Sequence, residues 1–102
     1  MYYVYLMRCS DNSLYCGITT DLYRRFREHT DKSNLKGAKY THAKNVISIA
    51  AVWQTECGRS EASKLEAALK KLSKEKKEIL CRNPERLYEF YAGEEVFICV
   101  ES

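Results

Sequence analysis

The sequence predicts an α+β fold: a small sheet of three strands, with a candidate fourth at the end of the chain, flanked by helices. Three observations predict it. The chain has 102 residues, enough for one small core and no second one. Two short runs rich in aromatic and β-branched residues open the chain with turn chemistry between them. Farther on, "SEASKLEAALKKL" spaces its apolar residues three and four apart, the period of a helix.

"YYVYLMR" reads as a strand over Tyr2–Arg8 and "LYCGI" as a second over Leu14–Ile18, joined as a hairpin through "CSDNS". Thr20 is expected to cap a helix over about Asp21–Thr30, with Asp21 in its first turn facing the positive end of the helix dipole. Leu22 and Phe26 form its apolar stripe. Residues 31–45 lack a sustained period and read as a long basic loop, a class of connection that is often functional. A third strand is expected over Val46–Thr55, with Ile47, Ile49, Ala51 and Trp53 alternating onto one face, and Gly58 ends it. Ser60 is expected to cap the clear helix, whose apolar face is Ala62, Leu65, Leu69 and Leu72. Ser73 caps a further short helix to about Leu80, Asn83-Pro84 starts another, and "EVFICV" is the candidate fourth strand. The expected organisation is one main unit over 1–82 and a C-terminal extension over 83–102 packed on it.

The formal charge of +3 is uneven. Residues 21–46 hold seven Lys/Arg against three Asp/Glu, and residues 59–78 hold seven against four, whereas residues 82–102 hold two against five. A cationic middle suits a phosphate-bearing partner if its segments share a face. Five cysteines without a C-x-x-C pair argue against a disulfide framework or a zinc site, and read as small buried hydrophobes in a reducing compartment. No apolar run is long enough to span a bilayer and no leader pattern opens the chain, so the expected location is the cytoplasm.

Eight tyrosines in 102 residues exceed what strand propensity asks. Tyr3 and Tyr5 share one strand face, and Tyr15 and Gly17 share one on the next strand. A two-residue hairpin loop would put Tyr5 and Tyr15 on opposite faces, whereas a loop of three or five, such as Asp11–Ser13, would bring them together. Arg25 and His29 lie four apart on one helix, at the margin of its apolar stripe. Glu66, four residues after Ala62 and three before Leu69, projects from the edge of the apolar face. Packing can account for any one of these tyrosines, a solvated helix face for the Arg25–His29 pair, and an exposed helix pair with Lys70 for Glu66. Together they supply proton acceptors, an anion stabiliser and a carboxylate.

These residues resemble the GIY-YIG nucleases. "YVY" at Tyr3–Tyr5 is similar to the first half of the name motif and "YCG" at Tyr15–Gly17 to the second. "DLYRRFREH" resembles the family's arginine helix and "EASKLEAALKK" its glutamate helix. The resemblance covers about residues 2–80 and is closest to the small stand-alone bacterial and viral members. Tyr3 stands in place of the first glycine, and Val4 and Cys16 in place of the two isoleucines.

The resemblance implies hydrolysis of phosphodiester bonds with one divalent metal ion, Mg²⁺ or Mn²⁺, held by Glu66 against the phosphate. Tyr5 or Tyr15 would accept the proton of the attacking water, which requires a phenol well below its usual pKa near 10. Arg25 would stabilise charge on the phosphoryl oxygens. His29 would orient a tyrosine or act as an alternative acceptor, and Gly17 would let the backbone approach the tyrosines. Arg24, Arg27, Lys39, Lys44 and Lys70 are candidate contacts to backbone phosphates, which position nucleic acid without reading its sequence. DNA ranks ahead of RNA as substrate, with structure-dependent or indiscriminate cleavage of a repair or recombination type. Two rival readings are a catalytically silent nucleic-acid-binding module and a protein-interaction or homodimer-forming domain that uses the acidic C-terminal segment.

Overall fold

Aromatic and β-branched residues in alternation build strand β1, Tyr2–Cys9, and strand β2, Leu14–Thr19, in this computed structural model, which describes residues 1–30 and 46–100 except the side chains of His29 and Thr30. The hairpin closes through Ser10, Asp11 and Asn12, one residue earlier than the expected Asp11–Ser13. Cys9 N–H donates to the Ser13 carbonyl (2.9 Å) and Asn12 N–H to the Cys9 carbonyl (2.9 Å). Asn12 takes the left-handed conformation, φ 69°, which asparagine tolerates and a three-residue hairpin needs.

Helix α1, Leu22–Thr30, begins one residue later than expected. Asp21, not Thr20, is its cap: the Asp21 carboxylate accepts from the Arg24 N–H at 3.1 Å. The Thr19 hydroxyl in turn accepts from the Asp21 N–H at 3.1 Å, fixing the strand-to-helix turn. The expected basic loop over residues 31–45, with Lys39 and Lys44, lies outside the described residues.

Strand β3, Val46–Thr55, pairs antiparallel with β1, and the sheet runs β2-β1-β3-β4, where β4 is Ile98–Cys99. The expected one-face alternation of β3 does not hold. Leu6 pairs with Ala51 but Met7 with Ile49, and Arg8 pairs with Ser48 but Cys9 with Val46. Each step leaves one extra residue on β3, and each such bulge reverses the faces beyond it. Ala51 and Trp53 therefore pack on one side, Ile49 on the other, and Ile47 faces solvent.

Helix α2, Arg59–Lys71, starts from Gly58 rather than from a Ser60 cap; Gly58 has φ 91°, a conformation glycine alone adopts freely. Ala62, Leu65 and Leu69 pack against Val4, Leu6 and Trp53, each leucine contributing about 1.5–3 kcal/mol by burial. On the opposite face Tyr5, Met7 and Val52 meet Leu22 and Phe26 of α1. The sheet is thus covered on both sides. Ser73 accepts from the Lys76 N–H at 3.3 Å and opens α3, Lys74–Arg82. Glu78 on α3 forms a two-pronged pair with Arg8 (2.5 Å), whose guanidinium also reaches the Asn12 carbonyl, so the hairpin end is clasped to α3.

A 3₁₀ turn over Pro84–Arg86 leads into α4, Leu87–Phe90. Leu87 and Phe97 enter the α2-side core, and the Trp53 indole donates to the Pro84 carbonyl at 2.8 Å. The apolar side chains of the C-terminal segment are therefore largely committed to this chain's own core. Not every cysteine is buried as expected: Cys57 is exposed in the turn before α2. No helix among the described residues is long and apolar enough to cross a membrane.

Candidate active site

The three-residue loop settles the face question. Tyr5 pairs with Gly17 and Met7 with Tyr15, so the positions sum to an even number and both phenols lie on the α1 side. Their ring centroids are 6.3 Å apart with planes tilted by 37°. Gly17 is needed for space: a Cβ there would stand 2.6 Å from Tyr5 Cζ and overlap the hydroxyl. The Tyr5 ring thus lies beneath the backbone of the next strand, with no solvent exposure. Burial pushes its phenol up to about 12, Tyr15 adds to the rise, and the Arg25 guanidinium opposes it by charge and hydrogen bonding. Tyr5 therefore does not by itself meet the sequence-based requirement for a phenol below 10.

Arg25 follows from the Asp21 cap by one helical turn, and its guanidinium reaches the Tyr5 phenol of β1. It pairs with Glu28 at 3.3 Å, and Arg24 pairs with the same carboxylate at 3.0 Å. Hydrogen bonding from Arg24 holds the Glu28 carboxyl below its ordinary range, so Glu28 stays charged and fixes both guanidinium groups.

Glu66 comes from the other face of the sheet. Its carbonyl oxygen lies 3.9 Å from the Cys16 thiol of β2. Burial, followed by the nearby Glu66, pushes that thiol up to about 12, which makes it a packing group rather than a thiolate. Groups on opposite faces can meet because β2 is an edge strand. A groove of about 500 Å³ wraps that edge and is lined by Tyr5, Tyr15 and Gly17 from the hairpin, Arg24 and Arg25 from α1, and Glu66 from α2.

The other expected residues are placed differently. Lys70 lies 3.5 Å from the Glu66 carboxylate but outside the groove lining. Arg27 stands over the Tyr23 ring, 5.8 Å from its centroid, and is not in the lining either. The His29 side chain, like Lys39 and Lys44, lies outside the described residues. The sequence did not single out Thr19, Glu28, Arg59 or Ser63, all of which line the groove; the last two lie on α2. With Glu66 they fall at positions i, i+4 and i+7 of α2, so helical spacing carried the signal. Among the described residues Arg59 makes no ion pair, unlike Arg24 and Arg25.

Among the described residues no three His, Cys, Asp or Glu side chains converge into a metal cage. Three carboxylates line the groove: Asp21 caps α1 and Glu28 is paired with Arg24 and Arg25, which leaves Glu66, with the Ser63 hydroxyl in the same lining and the Cys16 thiol of β2 kept protonated by burial. That set fits a hard cation such as Mg²⁺ or Mn²⁺, which keeps several waters and takes one or two carboxylates together with substrate phosphate.

Residues 1–78 match the model of the GIY-YIG catalytic domain. The chain is 40% identical over 84 residues to a UPF0213 protein of Fusobacterium nucleatum, covering 82% of this chain and 80% of that one. It is 42% identical over 84 residues to the UPF0213 protein YhbQ of Salmonella arizonae, with 82% and 80% covered. The solution NMR structure of the UPF0213 protein BH0048 from Bacillus halodurans is similar to it with a TM-score of 0.50 at 37% identity, over 85% of this chain and 93% of that one.

Proposed function

This chain belongs to the GIY-YIG nuclease family, and from that premise we propose that it is a metal-dependent endonuclease that hydrolyses phosphodiester bonds in nucleic acid, DNA ahead of RNA. One observation carries the reading: Tyr5, Tyr15, Arg25 and Glu66, drawn from both sides of the sheet, line a single groove at the β2 edge.

The scissile phosphate sits between Arg25 and Glu66. Arg25, held in place by Glu28, donates to the phosphoryl oxygens as negative charge builds on them. A divalent ion on Glu66 would supply Lewis-acid stabilisation of the phosphate and leaving oxygen and would lower the pKa of nearby hydroxyl groups. Tyr5 and Tyr15 hold the attacking water, and one of them takes its proton. Burial moves the Tyr5 phenol still farther above neutral pH, so Tyr5 accepts only when further positive charge enters the groove. Arg24 and Arg59 contact flanking phosphates. Such contacts carry no sequence preference, which suits a structure-dependent or indiscriminate nuclease of the repair or recombination type.

The test is incubation of purified protein with Mg²⁺ or Mn²⁺ and nicked, branched or single-stranded DNA, with RNA alongside. Cleavage that disappears in Glu66→Ala is the expected result; equal activity of that variant refutes the role of Glu66. Salt-sensitive binding without cleavage in either metal would replace the proposal with a silent binding module.

A further inference from the structure

A second cavity, of about 400 Å³, opens on the α1 side of the sheet, lined by Tyr3, Leu22, Tyr23, Phe26 and Ile49 among others. Its chemistry is opposite to that of the groove: aromatic and aliphatic, where the groove is charged. The two are neighbours. Thr20 and Asp21 line both, so only the turn that starts α1 separates them. Tyr23 at its rim is 73% exposed, with the Arg27 guanidinium 5.8 Å from its ring centroid. One exposed aromatic residue means little by itself. Here the exposed ring borders an aromatic cavity, has a cation over it, and belongs to a cavity that shares Thr20 and Asp21 with the candidate phosphate groove.

Nucleic acid repeats this same alternation, since each charged phosphate is joined through a sugar to a flat base whose π face stacks on aromatic rings. We infer that the second cavity is a nucleobase subsite, in which an unpaired base next to the scissile phosphate stacks on Tyr23 and packs toward Tyr3 and Phe26. The inference rests on the nuclease reading of the groove and names its substrate class. Stacking of this kind tolerates any base, because every base presents a π face. Gln54, also in the lining, offers an amide to a base edge. A paired base inside a continuous duplex cannot enter such a cavity without leaving its stack, so flaps, gaps and single strands are favoured over intact duplex.

The test uses the full chain in metal-free buffer, where binding is measured without cleavage. Fluorescence anisotropy follows a labelled single-stranded DNA and an abasic strand of the same length at low salt. The expected result is that the base-bearing strand binds about tenfold or more tightly than the abasic one. Tyr23→Ala should erase that preference, Tyr23→Trp should keep it, and all three proteins should retain the same salt dependence, because the phosphate contacts are untouched. Tyr23 is exposed, so the variants are expected to fold, which circular dichroism verifies. Equal affinity for the two strands, or a Tyr23→Ala protein that keeps the preference, overturns the inference and leaves the nuclease reading standing. Failure of both strands to bind at low salt overturns the nucleic-acid reading and the inference with it.

Discussion

Tyr5 carries a tight double constraint, because its ring is buried under a neighbouring strand and it also lines the groove. Its phenol is pushed up to about 12 by burial, whereas in the unfolded chain it titrates near 10. Between those two values the unfolded chain has lost a proton that the folded chain retains, so stability falls as pH rises through that window. Chemical denaturation of the wild type and of Tyr5→Phe should therefore diverge above pH 10, with the wild type losing about 2 kcal/mol relative to the variant. Parallel curves would show that the hydroxyl is well solvated. Gly17 tests the same packing from the other side. In Gly17→Ala the new methyl meets the Tyr5 ring, and the expected cost is about 1–3 kcal/mol in stability, with a further loss of cleavage as the phenol is displaced. Native stability with native activity would mean that the ring moves aside freely. Both residues were legible in the sequence because strand alternation and the hairpin confine the choices to two. The pKa direction was not legible, since it depends on how deeply the Tyr5 ring lies beneath β2.

At the level of elements, the Ser73 cap forms as expected, whereas the caps expected at Thr20 and Ser60 and the alternation of β3 give way to other arrangements, each for a local reason. Thr20 and Asp21 are both good cap residues, and the contact that decides between them is the Thr19 hydroxyl on the Asp21 amide. In β3 a run of apolar residues looks like simple alternation, but two extra residues relative to β1 rotate Ile49 and Ile47 away from the Trp53 side. Nothing in the letters marks a bulge without its partner strand. Arg59 shows the same limit in the site. Its spacing to Ser63 and Glu66 was readable, whereas its relevance required knowing that α2 overhangs the free edge of β2. That placement makes a prediction for α2. Arg59→Ala should leave the thermal transition unchanged and lower the slope of log affinity against log salt by about one, the signature of one lost phosphate contact. An unchanged slope would remove Arg59 from the interface.

For the whole molecule, the question is whether residues 83–102 are an appendage or part of the folding unit. The family resemblance ends near residue 80; the sequence leads to the expectation of an extension packed on the main unit, while the acidic composition of the tail also suits a partner. The decisive facts are long-range: Trp53 in β3 donates to Pro84, Leu87 is only 2% exposed and Phe97 joins it in the core beneath α2, and β4 extends the sheet. The same core supports the helix that carries Glu66, so loosening the tail should disturb the site from behind. Leu87→Ala removes a buried side chain outside the groove lining and should destabilise the protein by about 2–5 kcal/mol. Because one core is shared, unfolding should remain a single transition when followed both by Trp53 fluorescence and by far-ultraviolet circular dichroism. Two separated transitions, or a shift confined to one probe, would instead make the tail an independent unit, and Glu66 would then have to be held in place by α2 and the sheet alone.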